Sequence, residues 1–189
     1  MLTRVVRAVA LLAFVAVAAG AQRSAATSKG AWLISGGASF AQQSGDLYEN
    51  GAGDGVTTIS LLPNVGYFVM PGLLIGGSVT YSKSSQGDDS QSQTGFGPMV
   101  SYYFDGGGSM LPYVGGRYEI GKLKSEGNGF SSEQDGTRMV LGGGILLRRG
   151  HLGIAIELGY IMETLDVGGT DVDGNTLAIG VGLVGLLHR

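Results

Sequence analysis

The sequence predicts an all-β protein: an eight-stranded, antiparallel, up-and-down transmembrane β-barrel, preceded by a cleavable signal peptide. Three observations predict it. Large apolar and small residues alternate with period two in eight segments of about ten residues each. Short turns and long polar loops take turns between those segments. After the N-terminal region no apolar run reaches the about 20 residues of a spanning helix, although 43% of the chain is hydrophobic and only 14% charged.

The first residues, "MLTRVVRAVALLAFVAVAAGAQ", carry Arg4 and Arg7, an apolar run from Ala8 to Ala18, and the A-x-A site Ala19-Gly20-Ala21. This is the layout of a secretory signal cleaved before Gln22. Residues 1–21 are therefore expected to be the signal peptide and residues 22–189 one barrel domain. Without Arg4 and Arg7 the mature chain has 10 basic and 15 acidic residues, a net charge of −5. Such a surface has no general attraction for nucleic acid. The chain has no cysteine, so no disulfide staples it.

The segments are "AWLISGGASF" (31–40), "TTISLLPNVGYFVM" (57–70), "GLLIGGSVTYS" (72–82), "TGFGPMVSYYF" (94–104), "LPYVGGRYEIGK" (111–122), "TRMVLGGGILLRR" (137–149), "HLGIAIELGYIME" (151–163) and "NTLAIGVGLVGLL" (175–187). Period two is clearest in the seventh. There Leu152, Ile154, Ile156, Leu158, Tyr160 and Met162 share one face, and Gly153, Ala155, Glu157, Gly159, Ile161 and Glu163 the other. The small face is too empty for a solvent-facing surface. It suits a narrow barrel interior, with the large face toward lipid. Pro63 and Pro98 fall inside strands, where each removes a ladder donor, and a bulge is expected at each. Trp32, Tyr67, Tyr81, Tyr102, Phe104 and Tyr160 are placed to form interfacial girdles.

Short connections lie at Pro71-Gly72, 105–110 and Arg149-Gly150. Long polar loops are expected at 41–56, 82–93, 123–135 and 165–174, and they hold 11 of the 15 acidic residues. This asymmetry puts the long acidic loops outside and both termini at the periplasmic end.

Charges inside the strands are few. Arg117 and Glu119 share the inward face of the fifth segment with Tyr113, Arg138 lies on that of the sixth, and Glu157 on that of the seventh. Counted from the periplasmic turns, Arg117 and Glu157 stand at similar heights, with Gly142 between them. Buried charges need partners, so these four are read as a lumen charge network that fills a small barrel. A gate or ion path is the sharper reading of the same residues.

Other chemistry is not expected. Gly180 to Gly185 matches G-x-G-x-x-G, but only Leu186-Leu187-His188-Arg189 follows, too short for the helix a dinucleotide needs. The two histidines, His151 and His188, fall at the periplasmic ends, so no nucleophile–base pair is visible. "DVDGN" (171–175) resembles a calcium loop but lacks the distal Glu, and reads as a turn. No enzyme activity, cofactor or metal is therefore expected.

The stretch "LPNVGYFVMPGLLIGGSVTY" (62–81) joins a proline-interrupted strand, Val-Gly-Tyr, a tight turn and an alternating strand. With these residues the chain resembles the small outer-membrane β-barrel superfamily, the OmpA-like transmembrane domain and its OmpX and OmpW relatives. The resemblance covers almost the whole mature chain. It implies outer-membrane lipid as the surrounding partner, and periplasmic chaperones and the barrel-assembly machinery during biogenesis. A monomer is expected. Members usually end in an aromatic residue, whereas this sequence ends Leu187-His188-Arg189. That leaves either an internal assembly signal near Leu186-Leu187 or a looser one. Two functions stay open: a structural or surface-interaction protein with a filled lumen, and a passive, porin-like narrow channel. Eight strands leave room only for side chains, which favours the first.

Overall fold

The structure is a computed structural model and describes residues 27–43 and 54–187, apart from 106 and 128. The signal peptide expected at 1–21, most of the 41–56 loop and His188 lie outside the described residues. Eight strands follow one another: β1 (Trp32–Gln43), β2 (Val56–Met70), β3 (Leu73–Gln86), β4 (Asp89–Tyr103), β5 (Met110–Gly127), β6 (Phe130–Arg149), β7 (Leu152–Asp166) and β8 (Asp171–Leu187). Each pairs antiparallel with its neighbour in sequence, and β8 returns to β1 to close the barrel. Among the described residues no helix is long and apolar enough to cross a membrane.

Alternation sets the two faces, because successive side chains in a strand point to opposite sides. On β7, Leu152, Ile154, Ile156 and Leu158 are exposed on the outer wall. Ile75 and Val79 on β3, and Phe96 and Val100 on β4, extend that apolar outer face. Trp32 stacks edge-on against Tyr67 (centroids 5.2 Å apart), and Tyr102 against Phe104 (5.0 Å), as aromatic clusters near the short-turn end.

Three of the expected long loops are largely strand. Residues 82–93 continue β3 and β4 as far as a turn at Gly87-Asp88. Residues 123–135 continue β5 and β6 with register kept to Gly127↔Phe130, and 165–174 continue β7 and β8 to Asp166↔Asp171. The segment 171–175 thus opens β8 and is neither a turn nor a calcium loop. Polarity there marks departure from lipid, not the end of the ladder. A strand paired along its length extends through Ser, Gln, Lys and Glu when its neighbour templates it.

The prolines also act differently from the expectation. On either side of Leu62-Pro63 the β2–β3 register is unchanged, Leu61↔Tyr81 and then Asn64↔Ser78. The β4–β5 register is likewise kept across Gly97-Pro98, Phe96↔Ile120 and then Met99↔Arg117. Each proline leaves a gap in one ladder without a bulge, because it lacks an N–H on that side. The one register shift of β2–β3 falls at Val69, between Phe68 and Met70, next to the Pro71-Gly72 turn. Gly72 takes φ 81° there. A Cβ on it would lie 2.7 Å from the Tyr103 carbonyl oxygen.

The core is a plug at the short-turn end. Leu33, Phe68, Leu74, Tyr103, Leu111, Tyr113, Leu146, Val184 and Leu186 are buried together, and Ala155 of β7 packs on them, so every strand contributes. Each fully buried Leu or Phe adds about 1.5–3 kcal/mol relative to exposure. The segment before β1 seals the plug from below. Gly30 N–H donates to the Phe68 carbonyl, Gly72 N–H to the Thr27 carbonyl, and the buried Thr27 hydroxyl to Asp105 (2.5 Å).

Closure is uneven. β1 and β8 pair only over Trp32–Gly36 with Leu183–Leu187, whereas β5 pairs with β6 over Met110–Gly127 with Phe130–Leu147. Above Gly36 and Leu183 the two strands are unpaired with each other. A Cβ on Gly180 would meet nothing within 4 Å, and Ile179 is 78% exposed. The wall therefore has a seam above Gly36 and Leu183, with the backbones still close at its lower end, where a Cβ on Gly182 would lie 3.2 Å from the Gly36 carbonyl oxygen.

Candidate functional site

Above the plug, β3 to β7 turn a belt of polar side chains into the lumen. Glu119 is its centre and is 1% exposed. Its Oε1 accepts from Ser78 Oγ at 2.7 Å and its Oε2 from Thr80 Oγ1 at 2.9 Å. Arg117 Nε lies 3.2 Å from Glu119 Oε1, close enough for attraction but not angled as a hydrogen bond. Arg138 Nη1 lies 3.8 Å from Glu119 Oε2. Serine, threonine and two guanidinium groups thus surround a carboxylate that would otherwise be costly in a dry interior.

Register explains the next contact. Glu119 faces Arg138 across β5–β6, and Arg138 faces Glu163 across β6–β7. Arg138 Nε donates to Glu163 Oε1 at 2.6 Å, with Nη2 2.5 Å from the same oxygen. Gln93 joins the pair, accepting from Arg138 Nη2 at 2.8 Å and donating to Glu163 Oε1 at 3.1 Å. Hydrogen bonds thus join Gln93 of β4, Arg138 of β6 and Glu163 of β7, and Glu119 of β5 meets Arg138 as an ion pair.

Glu157 sits lower and apart. Its Oε2 accepts from the Tyr113 hydroxyl at 2.9 Å, and its Oε1 is 3.9 Å from Arg117 Nη1. Tyr113 stacks on Tyr103 with centroids 5.0 Å apart. Gly142 opens the space between Arg117 and Glu157: Arg117 pairs with Val140 and Glu157 with Gly144, so Gly142 lies midway on β6. At Gly144 the backbones approach so closely that a Cβ would fall 2.1 Å from the Ile156 carbonyl oxygen.

The structure brings Arg117, Glu119, Arg138 and Glu157 into one contact chain. It adds Glu163, Gln93, Ser78, Thr80 and Tyr113, which the sequence reading did not assign to it. Glu163 carried a usable signal, since it shares its face with Glu157; its partner depended on stagger. A cavity of about 140 Å³ lies beside the belt, toward β1, β2 and β8, with Asn64, Met99, Val140, Glu157 and Gly180 among its lining.

The family model for the outer membrane protein beta-barrel domain matches residues 8–184. The chain belongs to this outer-membrane barrel family. Two solved members of the fold resemble it at low identity. Neisserial surface protein A matches with a TM-score of 0.56 and 17% identity, over 83% of this chain and 99% of that one. The outer membrane protein OprG from Pseudomonas aeruginosa matches with a TM-score of 0.52 and 14% identity, over 86% of this chain and 98% of that one. At such identities these likenesses speak for the fold alone. No curated protein matches the sequence. Membership in the family places the barrel in the outer membrane, with its alternating outer face in lipid.

Proposed function

We propose that this chain is a structural or surface-interaction barrel whose lumen is closed to solutes. Its hairpins β3–β4, β5–β6 and β7–β8 face outside, and both termini face the periplasm. The observation that carries the reading is a double seal: the apolar plug around Phe68, Leu74, Leu111 and Leu186 and, above it, the belt around Glu119. An ion crossing the barrel would shed its hydration at the first and break ion pairs at the second, and either step is costly.

The outward hairpins carry Asp88, Asp89, Glu126, Glu133, Asp135, Asp166, Asp171 and Asp173. Such a rim supports a role in meeting cations, lipid head groups or other surfaces. The reading is non-enzymatic. His151, the histidine among the described residues, sits at the β6–β7 turn with Nδ1 3.1 Å from the Leu186 carbonyl oxygen. The test is single-channel recording in planar bilayers with folded protein. Silence at moderate salt is expected. Steady, sizeable conductance would replace this reading with the passive-channel one.

A further inference from the structure

We propose that the cavity between Glu157 and the β1–β8 seam is a binding site for a small primary ammonium ion with a short apolar tail. The proposal goes beyond the sealed-barrel reading, since a blind cavity binds without conducting.

Charge count is the first argument. Arg117 and Arg138 stand against Glu119, Glu157 and Glu163, so the belt carries two cations and three carboxylates. Glu119 and Glu163 are each held by close donors. Glu157 has one hydrogen bond, from Tyr113, and an arginine no nearer than 3.9 Å. Its side chain is also the most exposed of the three, at 37%. A carboxylate accepts several bonds, and Tyr113 supplies one of them, so Glu157 keeps acceptor capacity where it lines the cavity.

Asn64 supplies the second argument. Its Nδ2 donates to the Leu62 carbonyl at 3.3 Å and to Ser35 Oγ at 3.4 Å, which fixes the amide orientation. Its buried Oδ1 has no donor among the described residues. Two acceptors in want of donors flank one cavity. An ammonium group, with three N–H donors and a positive charge, answers both. An ammonium suits the cavity better than a metal ion, because no three His, Cys, Asp or Glu side chains converge among the described residues.

Shape sets the tail. Leu62, Met99, Val140 and Ala155 line the same space, and a volume near 140 Å³ is close to the about 150 Å³ that holds a benzene ring. The plug closes the floor, and Arg117 and Glu157 of the belt wall the cavity on one side. The opposite side is the seam, where Gly36, Gly37, Gly180 and Gly182 present no side chains and β1–β8 pairing ends at Gly36.

The probe is benzylammonium chloride, added to folded protein in detergent micelles and followed by the amide resonances of Gly180 and Gly182. Benzyl alcohol, of equal size and no charge, is the control. Saturable shifts with benzylammonium are expected, with the alcohol about tenfold weaker or worse, as loss of a charge-assisted bond implies. Glu157→Gln should weaken benzylammonium by a similar factor. Ala155→Leu, which fills the cavity, should abolish the shifts. No saturable shift, equal affinity for the alcohol, or full affinity in Glu157→Gln overturns the proposal. The ammonium–alcohol comparison needs no variant, so it decides the matter even if a substituted barrel fails to fold.

Discussion

Arg138 and Glu163 face each other directly across β6 and β7, and the guanidinium places both Nε and Nη2 on one carboxylate oxygen, at 2.6 and 2.5 Å. The pair is roofed by Gln93, which bonds to both members. Removing one side strands the other in a place with little water. Arg138→Met should therefore lower unfolding stability in micelles by about 3–5 kcal/mol. Adding Glu163→Gln should recover part of that loss. A double variant as unstable as the sum of the single ones would show that the pair does not interact.

Arg117 and Glu157 are more loosely joined, at 3.9 Å, and each has another partner. Arg117→Ala and Glu157→Ala should each destabilise the barrel, and together cost less than their sum. Because the contact is long, the coupling should be smaller than that of Arg138 with Glu163. Urea unfolding of the four proteins in one detergent measures it.

The two seals lie in series. Phe68 is fully buried in the plug, so Phe68→Ala should cost about 3–5 kcal/mol through transfer and cavity terms. Conductance should stay low, because the belt above is untouched. Only Phe68→Ala combined with Arg138→Ala should conduct. Current from Phe68→Ala alone would show that the belt is not a barrier.

Protease added to intact cells should cut within 41–56 and spare Arg149-Gly150. The first is a long polar connection and the second a tight turn at the opposite end. The 123–135 hairpin should resist, since its residues pair up to Gly127 and Phe130. Cleavage at Arg149-Gly150 from outside would reverse the assigned orientation.

Near the tip of that hairpin Lys124 Nζ lies 2.5 Å from Glu126. The hydrogen bond and charge of Lys124 hold the Glu126 carboxyl below its ordinary value of 4.5. A lowered folded pKa contributes stability above the unfolded value and loses it as pH falls through the folded one. Protection factors of the tip amides, corrected for the intrinsic exchange rate, should therefore fall as pH drops through the lowered Glu126 pKa, and high salt should mimic the effect because the pair is exposed. Titration of Glu126 by carboxyl NMR should show the lowered midpoint, and Lys124→Met should restore the ordinary one.

Period two alone put Arg117, Glu119, Arg138 and Glu157 on one face and Ile154, Ile156 and Leu158 on the other. It did so because side-chain direction in a strand is a local property, independent of what the strand pairs with. The strand count and the tight turns at Pro71-Gly72 and Arg149-Gly150 were legible for the same reason. Polar composition was a poorer guide. It marked where 82–93 and 123–135 leave lipid, but not that they stay paired. The structure alone decided that Arg138 meets Glu163, that Pro63 and Pro98 interrupt a ladder without shifting it, and that β1 and β8 join over five pairs. The first two depend on register along single hairpins, and the last on tilt and stagger between the first strand and the last. That relation arises only when the barrel closes, and no local pattern encodes it.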